Sequence, residues 1–312
     1  MKKALINTIN DLMYENKNIY MFTADLGYGV MNKIVENHPE RFINVGICEQ
    51  NMTSMAAGMA MEGNIVFTYS IGNFPTLRCL EQIRNDVAYH HANVKIVAVG
   101  GGFAYGNLGM SHHATEDIAV MRAIPGMTVF SPADAAETTA VIKEAVKIDG
   151  PVYIRLGRGG ESDITHISFD INRIMPVAKK EVQCAKYSVA LLGTGTVVAD
   201  AAKAVEQLGE CFDVSVYSVT KIKPLDIESV IKICKENDYV ATIEEHNVAG
   251  GLGSAIAEII SEAGIGIRLL RIGMDDQFTQ VVGSPNYLRH YYELDCEGIV
   301  RRVRSLLEVD NG

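Results

Sequence analysis

The chain has 312 residues, 48% of them hydrophobic and 21% charged, with 28 Lys+Arg against 38 Asp+Glu for a formal net charge of −10. That length suits two domains of about 150 residues each, and the composition excludes a disordered chain. With no basic excess to neutralise phosphates or anionic lipid, and no apolar run approaching the ~20 residues of a bilayer span, neither nucleic acid nor membrane is an expected partner.

Apolar spacing of three to four residues predicts an opening helix over Lys3–Glu15, and the run Ile19–Thr23 predicts a strand that stops at Asp25 and Gly27. The alternation repeats: Phe42–Val45 before a helix over Asn51–Met61, Ile65–Tyr69 before a helix over Leu77–Val87, and Val94–Val99 before a glycine-rich loop. Thr115–Arg122, Thr128–Phe130 and a helix over Ala133–Val146 follow, the last with Asp134 and Glu137 spaced as an N-cap pair, and Val152–Leu156 closes the first half. From Arg158 to about Gln183 glycines and mixed charges, ending in Pro176 and Lys179-Lys180, read as a linker. A second series runs through strands at Val189–Leu192, Val214–Val219, Tyr239–Ile243 and Arg268–Ile272, with helices at Val197–Leu208, Ile227–Lys235, Gly253–Ala263 and Glu297–Leu307. Strands alternating with helices imply an α/β chain of two consecutive three-layer domains, each a mainly parallel sheet with helices on both faces.

Several common chemistries are missing. The six cysteines, Cys48, Cys79, Cys184, Cys211, Cys234 and Cys296, include no Cys-x-x-Cys pair, which fits reduced thiols rather than disulfides or a zinc site. Met1-Lys2-Lys3 leads into a segment broken by Asp11 rather than a secretory core, so a cytoplasmic chain is expected. Gly193-Thr194-Gly195 resembles half a dinucleotide fingerprint, but without a third glycine a tight strand-to-helix turn is the simpler reading.

The informative stretch is Asn44-Val45-Gly46-Ile47-Cys48-Glu49-Gln50-Asn51-Met52. Glu49 falls between a strand and a helix with an apolar face of Met52, Met55, Ala56 and Met59. On local grounds it is either an acidic group favoured by the helix dipole or a carboxylate entering a crevice at the strand ends, with a raised pKa suited to sharing a proton with a ligand.

This passage resembles the Gly-Ile-x-Glu-Gln signature of the pyrimidine-binding domain in transketolase-like thiamine diphosphate enzymes. Thr23-Ala24-Asp25-Leu26 resembles the family's Ser-Ala-Asp-Leu, and Ser70–Arg84, with Phe74 and Glu81-Gln82-Ile83-Arg84, resembles the segment that presents an aromatic ring to the cofactor. Gly109-Met110-Ser111-His112 resembles Gly-Pro-Thr-His, and Pro151–Arg158 resembles the domain's end. Glu244-Glu245-His246 and Gly250-Gly251-Leu252-Gly253 resemble the family's C-terminal domain. The resemblance covers essentially the whole chain, in order. It implies a thiamine diphosphate-binding fold over residues 1–175 and a transketolase C-terminal-like domain over 184–312.

The family's diphosphate domain carries Gly-Asp-Gly, which is absent from this sequence, and the length matches only the last two of three family domains. The resemblance therefore implies the C-terminal subunit of a split transketolase, inactive alone. An N-terminal subunit would bind most of the Mg²⁺ and diphosphate, in an α2β2 assembly or with this chain dimerising by itself. Glu49 would hydrogen-bond N1′ of the aminopyrimidine ring, Phe74 would stack on that ring and Asp25 would line the cofactor site. His112 and Arg158 would contact a sugar or sugar phosphate, and a two-carbon glycolaldehyde unit would pass from ketose to aldose. An ordinary core aromatic at Phe74, a turn-capping Asp25, a core or surface His112 and a solvated Arg158 are the plain alternatives; His90, His91, His113 and His246 read as structural.

Three departures bear on the substrate. Leu108 replaces the acidic residue that contacts a donor hydroxyl, Gly100 falls near an expected histidine, and Gly29 near an expected phosphate-binding serine. Lost polar contacts of this kind shift discrimination among sugars, which points to a branched or modified sugar rather than the standard pentose phosphates. Rival readings are the beta chain of a 2-oxoacid dehydrogenase, a deoxyxylulose phosphate synthase-like chain and a non-catalytic assembly protein.

Overall fold

Side chains of a strand alternate between its two faces, so each apolar strand dictates a layer above and a layer below. In the computed structural model the described residues are 1–27, 29–164, 170–182, 185–210 and 212–309, with side chains described to 306. Gln183, Cys184 and Cys211, and with them the expected domain start at 184, lie outside the described residues.

The first half contains β1 (Ile19–Thr23), β2 (Phe42–Asn44), β3 (Ile65–Ile71), β4 (Val94–Val99), β5 (Thr128–Phe130) and β6 (Val152–Leu156). Around them lie α1 (Lys2–Glu15), α2 (Asn32–Asn37), α3 (Glu49–Met61), α4 (Leu80–Gln82), α5 (Asp117–Ala123) and α6 (Ala135–Ala145). The second half contains β7 (Met175–Lys180), β8 (Tyr187–Thr194), β9 (Phe212–Ser218), β10 (Lys221–Lys223), β11 (Tyr239–Asn247) and β12 (Arg268–Met274). Its helices are α7 (Val198–Leu208), α8 (Ile227–Glu236), α9 (Leu252–Glu262), α10 (Pro285–Tyr291) and α11 (Cys296–Val309).

Two sheets result, in the orders β10-β5-β6-β4-β3-β1-β2 and β12-β11-β8-β9-β7. Each is parallel except at one edge, where β10 pairs antiparallel with β5 and β7 antiparallel with β9. The alternation is plain in β4: Val97 and Val99 pack with Leu5, Ile9 and Met13 of α1 and Val141 of α6, while Ile96 and Ala98 pack with Met52 and Ala56 of α3 and Ile118 of α5. In β8, Val189 and Leu191 face α7 and α11, and Ala190 and Leu192 face α8 and α9. Among the described residues no helix is long and apolar enough to cross a membrane.

The structure departs from the sequence expectations in a few places. Helix α3 begins at Glu49 rather than Asn51, a position where the helix dipole favours an acid. The helix expected over Leu77–Val87 is a 3₁₀ turn (Leu77–Cys79), α4 and a π stretch (Ile83–Ala88), so its backbone winds unevenly beside the strand ends. Part of the segment read as a linker forms β7, an edge strand whose register shifts next to Pro176. Gly195 is not open to a phosphate: its N–H donates to Ser131 O at 3.1 Å, closing the turn against the first half of the chain.

The two sheets meet at a buried cation. Arg155 of β6 donates from Nε to Asp117 Oδ2 at 2.8 Å and from Nη2 to the carbonyls of Ala114 and Glu245 at 2.9 Å each. Tyr153 Oη adds a bond to Asp117 Oδ2 at 2.5 Å, and Glu245 Oε1 accepts the Phe103 N–H at 2.8 Å. Arg155 is 5% exposed and Asp117 fully buried, so removing either charge strands the other without water. Asp117→Leu is expected to lose about 3–5 kcal/mol of stability in urea denaturation; a loss below about 1 kcal/mol would show the pair is dispensable.

Candidate active site

In open parallel sheets, side chains that act on ligands gather beyond the carboxyl ends of the strands. The first sheet follows that rule closely: Asp25 follows β1, Glu49 follows β2, Phe74 and Arg78 follow β3, Gly100, Tyr105 and His112 follow β4, and Arg158 follows β6.

Glu49 is 4% exposed at the first position of α3. Its Oε2 accepts a hydrogen bond from Arg78 Nη1 at 2.8 Å, and the same guanidinium lies 4.3 Å from the centroid of the Phe74 ring. A flat cationic donor is thus held between a buried carboxylate and an aromatic face, by an ion pair and a cation–π contact together. Arg78 is about half exposed, so the group filling this slot is anchored at one end and open to solvent at the other. The apolar setting expected around Glu49 therefore contains a charge that the sequence reading did not place there.

The run continues through rings. Phe74 meets His112 edge-on at 5.1 Å, His112 lies 6.2 Å from Tyr105, and the Arg158 guanidinium sits 4.8 Å from the Tyr105 centroid. Four of the five expected site residues, Glu49, Phe74, His112 and Arg158, are thereby strung along one line, with Arg78 and Tyr105 as the links. Asp25 is held at the neighbouring strand end: its backbone adopts φ 54°, its N–H donates to Asn44 Oδ1 at 2.9 Å, and its Oδ1 accepts from Asn44 Nδ2 at 3.3 Å.

Electrostatics differ along this line. Partial burial, with the nearby His113, lowers the pKa of His112, favouring a neutral ring whose Nδ1 lies 3.0 Å from Ser111 Oγ. Burial raises the pKa of Tyr105, an effect that the charge of Arg158 opposes. His113 and His246 serve the frame: His113 Nε2 lies 3.0 Å from Gly106 O, and His246 Nε2 accepts the Ala119 N–H at 3.3 Å.

Residues 1–160 match the family described as "Transketolase, pyrimidine binding domain", and residues 178–299 match "Transketolase, C-terminal domain". The chain is 34% identical to an apulose-4-phosphate transketolase subunit of Phocaeicola vulgatus, over 98% of its own length and 97% of that protein. It is 36% identical to the 6-deoxy-6-sulfo-D-fructose transketolase subunit SqwH of a Clostridium species, covering all of this chain and 95% of that one. Among solved structures it resembles one described as "Split gene transketolase, inactive beta4 tetramer", with TM-score 0.83 and 36% identity over 97% of this chain and 96% of the other.

Arg78 and Tyr105 carry no motif of their own in the sequence, although Arg78 lies four positions after Phe74 and Tyr105 lies in the loop whose polar residues depart from expectation. The structure explains one of those departures. A Cβ on Gly100 would lie 2.3 Å from Tyr105 Cδ2 and Cε2, and Gly100 has φ +98°, a conformation L side chains rarely adopt. A side chain at 100 would require the Tyr105 ring to shift and would strain the backbone. Gly100→Ala is expected to cost about 2–4 kcal/mol through strain and overpacking, seen as a lowered thermal midpoint; a cost under about 0.5 kcal/mol would contradict the steric account.

Proposed function

The chain belongs to the transketolase family, and we propose that within it the chain is the C-terminal, pyrimidine-binding subunit of a split transketolase, working with a separate N-terminal subunit. Thiamine diphosphate, the cofactor the family implies, supplies when bound the carbon nucleophile that carries a two-carbon unit from a ketose to an aldose.

The carrying observation is the Arg78 guanidinium between Glu49 and Phe74. It supports a site that takes a planar group: an aminopyrimidine ring would offer Phe74 the same flat face and, once its ring nitrogen is protonated, an N–H donor to Glu49. In the proposed role Glu49 holds a hydrogen bond to that edge and stabilises the protonated form of the ring nitrogen, while Phe74 fixes the ring plane. Asp25 borders the slot from the adjacent strand end. His112, as a neutral ring, donates a hydrogen bond to substrate oxygen, and Arg158 receives the substrate's anionic end.

Mg²⁺ and the diphosphate fall to the N-terminal subunit in this reading, since this sequence contains no Gly-Asp-Gly. Ile47, 80% exposed beside Glu49, and Met55, 42% exposed on α3, supply apolar surface for a subunit contact next to the slot. The solved relative described as an inactive tetramer of beta chains supports inactivity without the partner. The relatives named for a sugar phosphate and for a sulfo-sugar support a ketose with an anionic terminus and a modified carbon skeleton as the donor.

The test is to assemble this chain with its N-terminal partner and assay ketose donors with thiamine diphosphate and Mg²⁺. Glu49→Gln is expected to lower kcat by about 10²–10⁴ while the subunits still co-purify. Turnover of 2-oxo acids without any ketose would refute the transketolase assignment. Arg78→Ala removes the internal occupant of the slot, so calorimetry on the assembled subunits is expected to show cofactor binding about tenfold tighter, the scale of one cation–π contact plus a half-exposed ion pair. Weaker binding would mean that Arg78 holds the cofactor rather than standing in its place.

A further inference from the structure

Tyr105 has no role in the family resemblance, yet it touches most of what surrounds the substrate end of the site. The residue is 8% exposed. One guanidinium, that of Arg158, lies 4.8 Å from its centroid, and one ammonium, that of Lys2, lies 5.9 Å away. His112 borders it at 6.2 Å. Gly100, near which a histidine was expected, leaves the room that the ring fills. Lys2 and Arg158 also line a cavity of about 620 Å³ together with Gly159, Gly160, Lys203 and Arg289.

Two like charges around one ring repel each other. Burial, and then the charge of Arg158, lower the pKa of Lys2, against which Glu161 acts in the opposite sense. Glu161 is itself engaged, accepting the Gly159 N–H at 2.5 Å and the Met1 amino group at 3.3 Å. Asp200, on the same cavity wall, is committed to Arg289 at 3.0 Å. The electron-rich face of Tyr105 is thus a support shared by both cations beside the site, and an entering oxyanion would find their charge only partly neutralised.

Resting on the transketolase reading above, we propose that Tyr105 is a positioning residue that sets donor specificity: its ring holds Arg158 and Lys2 in place for a tetrahedral oxyanion, phosphate or sulfonate, at the far end of the ketose. The ring does this in the space that a side chain at 100 would otherwise occupy. Selectivity on this view comes from a packed aromatic support under the cations.

The experiment compares wild type, Tyr105→Phe and Tyr105→Leu in the assembled complex, with a ketose phosphate, a ketose sulfonate and the uncharged ketose erythrulose as donors. For Tyr105→Leu the ratio of KM for either anionic donor to KM for erythrulose is expected to rise about tenfold, the scale of losing two cation–π contacts. Tyr105→Phe, which keeps the ring and drops the hydroxyl, should restore the ratio to within about twofold of wild type. A rise confined to one anionic donor supports the proposal and identifies which oxyanion the ring serves. An unchanged ratio, with KM for all donors moving together, would reduce Tyr105 to a packing residue and overturn the proposal. Calorimetric titration of the isolated chain with inorganic phosphate and with sulfate gives a readout independent of turnover. Binding weakened about tenfold in Tyr105→Leu, but not in Tyr105→Phe, is the expected result, and no difference between wild type and Tyr105→Leu would overturn the proposal. If the wild-type complex turned over no ketose at all, the transketolase assignment would fall while this titration still decided the role of Tyr105.

Discussion

The fold turns on Arg155. It is a strand residue whose guanidinium reaches Asp117, the Ala114 carbonyl and the Glu245 carbonyl, so one buried cation ties β6 to α5, to the loop after β4 and to β11 of the other sheet. A buried ion pair by itself is weak support for stability, because desolvation consumes most of the Coulombic gain. Here Nη2 of the guanidinium donates to two backbone carbonyls, and Tyr153 Oη occupies the same carboxylate oxygen. The loop from Gly100 to Thr115 is pinned from beneath by these bonds and from the side by the Asn247 N–H on Thr115 O at 2.8 Å. That loop carries Tyr105 and His112, so this end of the candidate site is braced by both halves of the chain.

Along the site itself, charge and aromatic surface alternate. Glu49 contributes a buried negative group; Arg78, Arg158 and Lys2 contribute positive ones; Phe74, His112 and Tyr105 separate them. Flat rings can contact cations on their faces while presenting edges to each other, which lets side chains from several segments bring like charges close together. On the proposed reading, one end takes a planar ring and the other an oxyanion.

Much of this was legible from the sequence. Strands β1, β4, β5 and β6 run over the expected residues because continuous apolar runs bounded by Asp, Gly, Pro or Asn leave little choice of ends. Less visible were β10, where Ile222 alone is buried between two lysines and pairing comes from a strand of the other half, and β7, whose half-buried positions carry no clear alternation. Helix α10 had its signal, Ser284 accepting the Tyr287 N–H with Pro285 at the first helical position, but its aromatic and polar residues lack an apolar stripe. Among the candidate site residues, the proposed ones follow from motif spacing. Arg78 and Tyr105 do not, because stacking over a ring is a relation between loops that no local pattern encodes. The Gly100 departure was visible only as a missing side chain; its cause, the Tyr105 ring, required the fold.

The Glu49–Arg78 pair bears on how half of a site survives alone. A carboxylate 4% exposed needs a partner, since its isolated burial would cost several kcal/mol. On the proposed reading the lasting partner is a cofactor whose other end lies on a different chain. Arg78 supplies the missing hydrogen bond from within, and its half-exposed stem lets it leave without disturbing the core. Cofactor entry then becomes an exchange of one planar donor for another, with the net free energy reduced by whatever holds Arg78 in the slot. A stronger internal pair would give the separate chain more protection and weaken its hold on the cofactor. A weaker pair would reverse both, so the partial exposure of Arg78 sets a compromise between the stability of the separate chain and the affinity of the assembled one.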